Sequence, residues 1–280
     1  DNLAPSVNAV FKEPELFSGA MLWLATLGYG LQIYGDFAGY SAMAIGTARM
    51  IGYDLPKNFD IPYAATNITD FWRRWHITLS AWLRDYLYIP LGGNRHGRAR
   101  TYLHLFLTML LGGLWHGASW NFVLWGALHG GALAGHKALR EITGERVRMP
   151  AAIAWPLTFV FVNLCWIPFR AKDFATTAVF LERMFTLEHG IFWLPSALVW
   201  GTVLVAAAHG IALWLSGRIP GAPSPAMLRH VGMEHIPNAL AGWSVKLHPG
   251  TAAGAFFGTL WVLVLFYFAR VGGSPFIYFQ

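Results

Sequence analysis

From residue 101 to residue 136 the chain carries no Asp, Glu, Lys or Arg. A soluble domain seldom leaves so much sequence without a charge to face water, whereas crossing the hydrocarbon layer takes roughly 20 apolar residues. Residues 16–48 hold a single charge, Asp36, and residues 149–169, 190–217 and 251–269 hold none. These runs make room for about six crossings or re-entrant segments. Lipid offers no partner to backbone N–H and C=O groups, and no period-two alternation argues for a barrel, so the segments are expected to be helical. The expected fold is all-α: a polytopic membrane helix bundle with amphipathic and re-entrant helices around a buried histidine, His116. No internal repeat or low-complexity segment interrupts the chain, and residues 1–280 are read as one domain.

Two runs do not match a simple crossing. Residues 16–48 are too many for one straight span, and Gly28, Gly30, Gly35 and Gly39 are expected to break them into a crossing and a continuation. The 101–136 run lies between connections rich in positive charge, with eight Lys or Arg over 49–100 and four over 137–148. The positive-inside rule puts both connections in the cytosol, so the run must enter and return. It is short for two crossings and a turn. A re-entrant path turning at Gly112-Gly113 reconciles the two, provided that it is buried in protein or lines a water-filled cavity. His116 would then lie at the floor of that cavity.

Composition agrees. The chain is 55% hydrophobic and 12% charged, against roughly 25% charged in a soluble domain, and its 14 Trp and 20 Phe suit membrane interfaces. The net charge of +6 sits in the connections, where it sets orientation and meets anionic headgroups. Membrane lipid is the expected partner and nucleic acid is not. Cys165 is the lone cysteine, so no internal disulfide forms. The opening Asp1-Asn2-Leu3-Ala4-Pro5 has no basic segment followed by an apolar one, and it reads like the middle of a protein. The chain is expected to be an N-terminally truncated fragment.

The connection over 54–100 is charged yet dense in Trp and Tyr. Asn67 can cap a helix, with Asp70 in its first turn. Trp72, Trp75, Leu79, Trp82 and Tyr86 then recur at spacings of three and four, which is one helical face, and Arg73, His76, Ser80 and Arg84 form a second stripe. Such a helix would lie at an interface or under the bundle. Leu91-Gly92-Gly93-Asn94-Arg95 reads as a turn.

Each polar candidate has two readings. His116 suits proton transfer near neutral pH, or a hydrogen bond that bridges helices. His76 is either a site residue or an ordinary member of an interfacial polar face. Asp36 has a partner or a pathway role, or it marks a helix end near the interface. Arg73, Arg74 and Arg84 face headgroups, or attract an anionic ligand. His104, His129, His136 and His209 read as structural. His129 is thirteen residues from His116, about 220° around a helix, and no His-x-x-x-His or Cys-pair spacing occurs, so no metal site is expected. No nucleophile elbow, phosphate loop or dinucleotide fingerprint appears. Buried His and Asp in broken helices also describe a channel or secondary transporter.

A resemblance weighs against transport. Asp70-Phe71-Trp72-Arg73-Arg74-Trp75-His76-Ile77-Thr78-Leu79-Ser80, continuing through Trp82-Leu83-Arg84-Asp85-Tyr86-Leu87-Tyr88-Ile89-Pro90-Leu91-Gly92-Gly93-Asn94-Arg95, resembles the membrane-bound O-acyltransferase family. Thr108-Met109-Leu110-Leu111-Gly112-Gly113-Leu114-Trp115-His116-Gly117-Ala118 resembles that family's second signature. The likeness is greatest to the bacterial branch that serves alginate O-acetylation and D-alanyl transfer to teichoic acids. It is densest over 29–130 and extends to the ending Phe276-Ile277-Tyr278-Phe279-Gln280. The segment Ile33-Tyr34-Gly35-Asp36-Phe37-Ala38-Gly39-Tyr40-Ser41-Ala42 departs from the usual pattern: Gly35 replaces a Phe, Ala38 a Ser and Ala42 an Asp.

The resemblance implies a multi-pass protein of the bacterial inner membrane. It would move an acyl group, acetyl or D-alanyl, from a cytosolic thioester to a hydroxyl acceptor, with no bound cofactor. Acetyl-CoA or an acyl carrier protein would be the co-substrate, and an extracytoplasmic acetyltransferase the partner in polysaccharide modification. His116 matches the family's essential histidine and His76 its second motif histidine. A thioester is already activated, so the task is to align the acceptor and take its proton. His116 would act as general base or carry the acyl group as nucleophile. Trp115 and Asn121 would shape the site, and Asp36, Arg73, Arg74 and Arg84 complete the candidate binding residues. The remaining reading is an inert scaffold for an extracellular acetyltransferase.

Overall fold

The computed structural model describes residues 3–144 and 149–215. The expected crossing at 251–269 and the closing 276–280 segment lie outside them. Among the described residues the protein is helical: α1 (Ala4–Lys12), α2 (Gly19–Met50), α3 (Ile68–Arg74), α4 (Ile77–Leu83), α5 (Arg98–His116), α6 (Trp120–Thr143), α7 (Ala151–Arg170), α8 (Phe174–Thr186) and α9 (Ser196–Leu215). They fall into two compact units, 3–34 with 58–209, and 35–57 with 210–215. The second unit contains the end of α2 and the loop after it, where Arg49 Nε meets Asp54 Oδ1 at 3.2 Å. Both motif histidines belong to the first.

Two described helices, α7 with 20 residues and α9 with 19 over Ser196–Trp214, are long and apolar enough to cross a membrane. The expectation of about six such segments meets this standard only in part, because glycine, histidine, threonine and tyrosine dilute the apolar content of α2, α5 and α6.

The glycines of the first long run do not break it, and α2 is continuous from Gly19 to Met50. A Cβ at Gly28 would lie 3.2 Å from Val7 Cγ2, and one at Gly30 would collide with Asn163 Oδ1. The Tyr63 hydroxyl also donates to the Gly30 carbonyl. These positions serve close approach of neighbours, and a helical glycine costs only about 1 kcal/mol.

The 101–136 run forms a helical hairpin. Its turn lies at Gly117–Ser119 and not at Gly112-Gly113, which stay within α5. A side chain at Gly113 would run into the Phe122 carbonyl, one at Gly126 into the Met109 carbonyl, and one at Gly130 would come within 2.9 Å of the Phe106 carbonyl. Absence of Cβ atoms therefore lets the α5 and α6 backbones touch, the small-residue packing common between membrane helices.

The aromatic connection also departs from expectation. Asn67 caps as predicted, accepting the Asp70 N–H at 2.8 Å. The single helix does not continue, however: α3 ends at Arg74, and α4 begins at Ile77, after His76 at φ 44°. The break changes which side chains are covered. Trp72, Trp75 and Leu79 are buried, whereas Trp82 and Tyr86 are exposed. Trp75 packs in an aromatic core with Phe59, Phe71, Tyr63 and Trp166.

Candidate functional site

His116 is the last residue of α5, immediately before the turn of the hairpin. Gly117 stops the helix, its N–H donating to Leu114 O at 3.2 Å, and Ser119 caps α6 through the Asn121 N–H at 3.3 Å. A Cβ at Gly117 would lie 2.8 Å from the Phe122 ring, so the tight turn presses that ring toward the histidine. Four aromatic rings meet the half-buried imidazole: Trp115 at 5.0 Å between centres, Phe169 at 5.1 Å, Trp125 at 5.2 Å and Phe122 at 6.1 Å. Trp125 packs in turn on Trp166 at 6.2 Å, and Trp166 on Trp75 at 5.1 Å. Contiguous aromatic contact thus joins His116 to the segment that carries His76.

His76 sits at the break between α3 and α4, outside the long helices, with Nδ1 3.2 Å from Asn58 Oδ1. Burial pushes its pKa down from the usual imidazole value of 6.5 to about 4, and the charge of a nearby His116 pushes in the same direction. The two motif histidines, far apart in sequence, thus lie close enough for the charge of one to act on the other. Desolvation keeps His76 neutral at pH 7.

The other candidates fare differently. Trp115 is exposed beside His116. Asn121 is buried; its Nδ2 donates to Ala171 O at 2.8 Å, while its Oδ1 has no hydrogen-bond partner among the described residues. Arg74 is tied into the fold by Asp70 at 2.9 Å and by Asp60 O at 3.3 Å. Arg73 is exposed, and Arg84 lies at the surface with Asp85 at 2.7 Å. Asp36 is half-exposed on the part of α2 that belongs to the other unit.

The four histidines read as structural have clear neighbours. His104 Nδ1 meets Gly93 O at 3.0 Å, His136 Nδ1 meets Thr69 Oγ1 at 2.8 Å, and the fully buried His129 accepts from Trp72 Nε1 at 3.2 Å. His209 packs on Tyr34 and Tyr63. Sequence reading missed Asn58, Trp125, Trp166 and Phe169. The tryptophans carry no local signal beyond their type, and Asn58 shares no motif with His76.

The model of the membrane-bound O-acyltransferase family matches residues 9–213. A peptidoglycan O-acetyltransferase of Helicobacter pylori is 47% identical over 189 residues, covering 67% of this chain and 36% of the relative. A probable alginate O-acetylase of Azotobacter vinelandii is 37% identical over 294 residues, covering 100% of this chain and 58% of the relative. A teichoic acid D-alanyltransferase of Bacillus subtilis is 30% identical over 159 residues, covering 52% of this chain and 40% of the relative. The chain thus spans about half, or less, of the length of these relatives.

Proposed function

The chain belongs to the membrane-bound O-acyltransferase family, and from that premise we propose that it carries the acyl-transfer site of a polysaccharide O-acetylating enzyme. The group transferred is acetyl, the donor a cytosolic thioester such as acetyl-CoA or an acyl carrier protein, and the first acceptor a hydroxyl. The acetyl group then reaches an extracytoplasmic acetyltransferase that modifies a polysaccharide. The enzyme is a multi-pass protein of the bacterial inner membrane, and residues 1–280 act as one domain of it. One observation supports this above all: aromatic contacts run from His116 through Trp125 and Trp166 to Trp75, the residue before His76.

In that site neutral His116 takes the proton of the acceptor hydroxyl as its oxygen attacks the thioester carbonyl. The new C–O bond forms, the C–S bond breaks, and the imidazolium returns the proton to the leaving thiolate. Asn121, with its unpartnered Oδ1, and Trp115 line the approach. Arg73 and Arg84 draw the phosphorylated donor to the cytosolic side. Acetyl is favoured over D-alanyl because the acetylating relatives named above are 37% and 47% identical and the D-alanyltransferase 30%.

The test is transfer from labelled acetyl-CoA to polysaccharide by membranes holding the full-length enzyme. General base catalysis is worth roughly 10²–10⁴-fold, so His116→Ala should reduce transfer by at least that lower figure with protein abundance unchanged. Near-normal transfer by that variant rules out the role given to His116. Proton-coupled uptake into liposomes without any acyl donor would point to a transporter instead.

A further inference from the structure

The segment at residues 58–60 is laced to the break between α3 and α4 from both sides. Asn58 O accepts the Ile77 N–H at 3.0 Å, and Asp60 N–H donates to Arg74 O at 2.9 Å. Between these bonds lies His76 at φ 44°, a left-handed conformation that a residue with a Cβ seldom adopts. Asn58 Oδ1 faces three groups at once: Thr78 N at 3.2 Å, Thr78 Oγ1 at 3.0 Å and His76 Nδ1 at 3.2 Å.

Elementary hydrogen-bond chemistry then determines where the proton on His76 lies. A backbone N–H can only donate, so the Asn58 atom that it meets is the carbonyl oxygen and not the amide nitrogen. That oxygen can only accept. The His76 Nδ1 facing it must therefore be protonated, and a neutral imidazole has only one N–H. Nε2 is left as the basic nitrogen. His129 has the opposite arrangement: Trp72 Nε1–H donates to its Nδ1 at 3.2 Å, which puts the proton on Nε2. Neighbours assign each imidazole its tautomer.

We propose that Asn58 is a positioning residue for acyl transfer, holding His76 as its Nδ1–H tautomer with Nε2 as the unprotonated, basic nitrogen. The consequence for the reaction rests on the proposed acyl-transfer function; the tautomer does not. Thr78 shares the same oxygen, so Asn58 also closes the first turn of α4 and fixes where the ring can point. A histidine in the wrong tautomer keeps its place but loses its chemistry.

The test uses the full-length enzyme in lipid nanodiscs at pH 8 with ¹⁵N-labelled histidine, the His76 signals being assigned by their loss in His76→Gln. In the wild type, Nδ1 should resonate as a protonated and Nε2 as an unprotonated nitrogen. Asn58→Ala should shift the ring toward the Nε2–H form and lower kcat by roughly tenfold or more, with KM for acetyl-CoA within about twofold. Asn58→Asp, which keeps an acceptor oxygen, should restore the Nδ1–H signal. An Nε2–H signal in the wild type overturns the proposal even if Asn58→Ala fails to fold. An unchanged tautomer in a folded Asn58→Ala overturns it equally. Full activity of His76→Gln would instead remove His76 from the reaction, while the nitrogen signals still judge what Asn58 does.

Discussion

Trp125 stands edge-on to His116, with ring centres 5.2 Å apart and planes at 87°, and also meets His129 at 4.8 Å. The tryptophan is thus the shared wall between a half-buried histidine and a fully buried one. Its Nε1–H is buried with no partner among the described residues. Trp125→Phe removes that donor while keeping most of the ring, so stability should change by less than about 1 kcal/mol. Trp125→Ala opens a cavity beneath His116 and should cost about 3–5 kcal/mol. Thermal unfolding in detergent measures both; equal losses in the two variants would show that the ring is not the wall described.

The hairpin that carries His116 depends on backbone contact at Gly126, where an added Cβ would meet the Met109 carbonyl and come within 3.0 Å of Leu110 Cα. These are backbone atoms and cannot swing aside. Gly126→Ala should therefore destabilise by about 1–3 kcal/mol, as overpacked positions do, and should lower transfer by displacing the end of α5. Gly131 and Gly135 lie on the same helix with nothing within 4 Å of the added Cβ. Alanine there should be neutral or stabilising by up to about 1 kcal/mol. Unfolding temperatures of the three variants make the comparison; similar losses in all of them would refute close packing at Gly126.

Features set by local chemistry were legible in the sequence. The Asn67 cap, the turn at Leu91–Arg95 and the helix expected over the charge-free run 149–169 each follow from residues near in the chain. Features set by distant partners were not. The three-and-four spacing of aromatics runs unbroken through Trp75, yet the helix ends there because Asn58 captures the Ile77 and Thr78 N–H groups. Gly30 reads as a breaker until Tyr63 and Asn163 are seen against it. The two motif histidines could be named from resemblance. Asn58 and Phe169 could not, because only folding brings them to those histidines.

Burial of His76 has a consequence for acid stability. Its pKa is about 4 in the folded protein, lowered by burial first and by His116 second, against an ordinary value of 6.5. Between those values the unfolded chain binds a proton that the native state does not, so stability falls as pH drops below about 6.5 and this contribution levels off below about 4. Above pH 6.5 the group has no effect. Replacing it by Asn should therefore leave a shallower loss of Tm between pH 6.5 and 4.5 than in the wild type. Parallel curves for the two proteins would show that His76 is not held neutral by the fold.

Arg73 and Arg74 are adjacent in the motif but should fail in different ways. Arg74 is held by Asp70 Oδ1 at 2.9 Å and Asp60 O at 3.3 Å, which ties α3 to the segment carrying Asn58. Removing it strands a half-buried carboxylate and loosens that segment, so Arg74→Ala should lower the unfolding temperature, with activity lost in step with folded protein. Arg73 is exposed and suited to attracting a polyanionic donor through solvent, an interaction that salt screens over about 8–10 Å. Arg73→Ala should leave the unfolding temperature within error and raise KM for acetyl-CoA several-fold at low salt, with the difference from wild type shrinking as ionic strength rises. A KM that does not change at any salt concentration would leave Arg73 as a headgroup-facing residue. A fall in unfolding temperature matching that of Arg74→Ala would make both arginines parts of the scaffold.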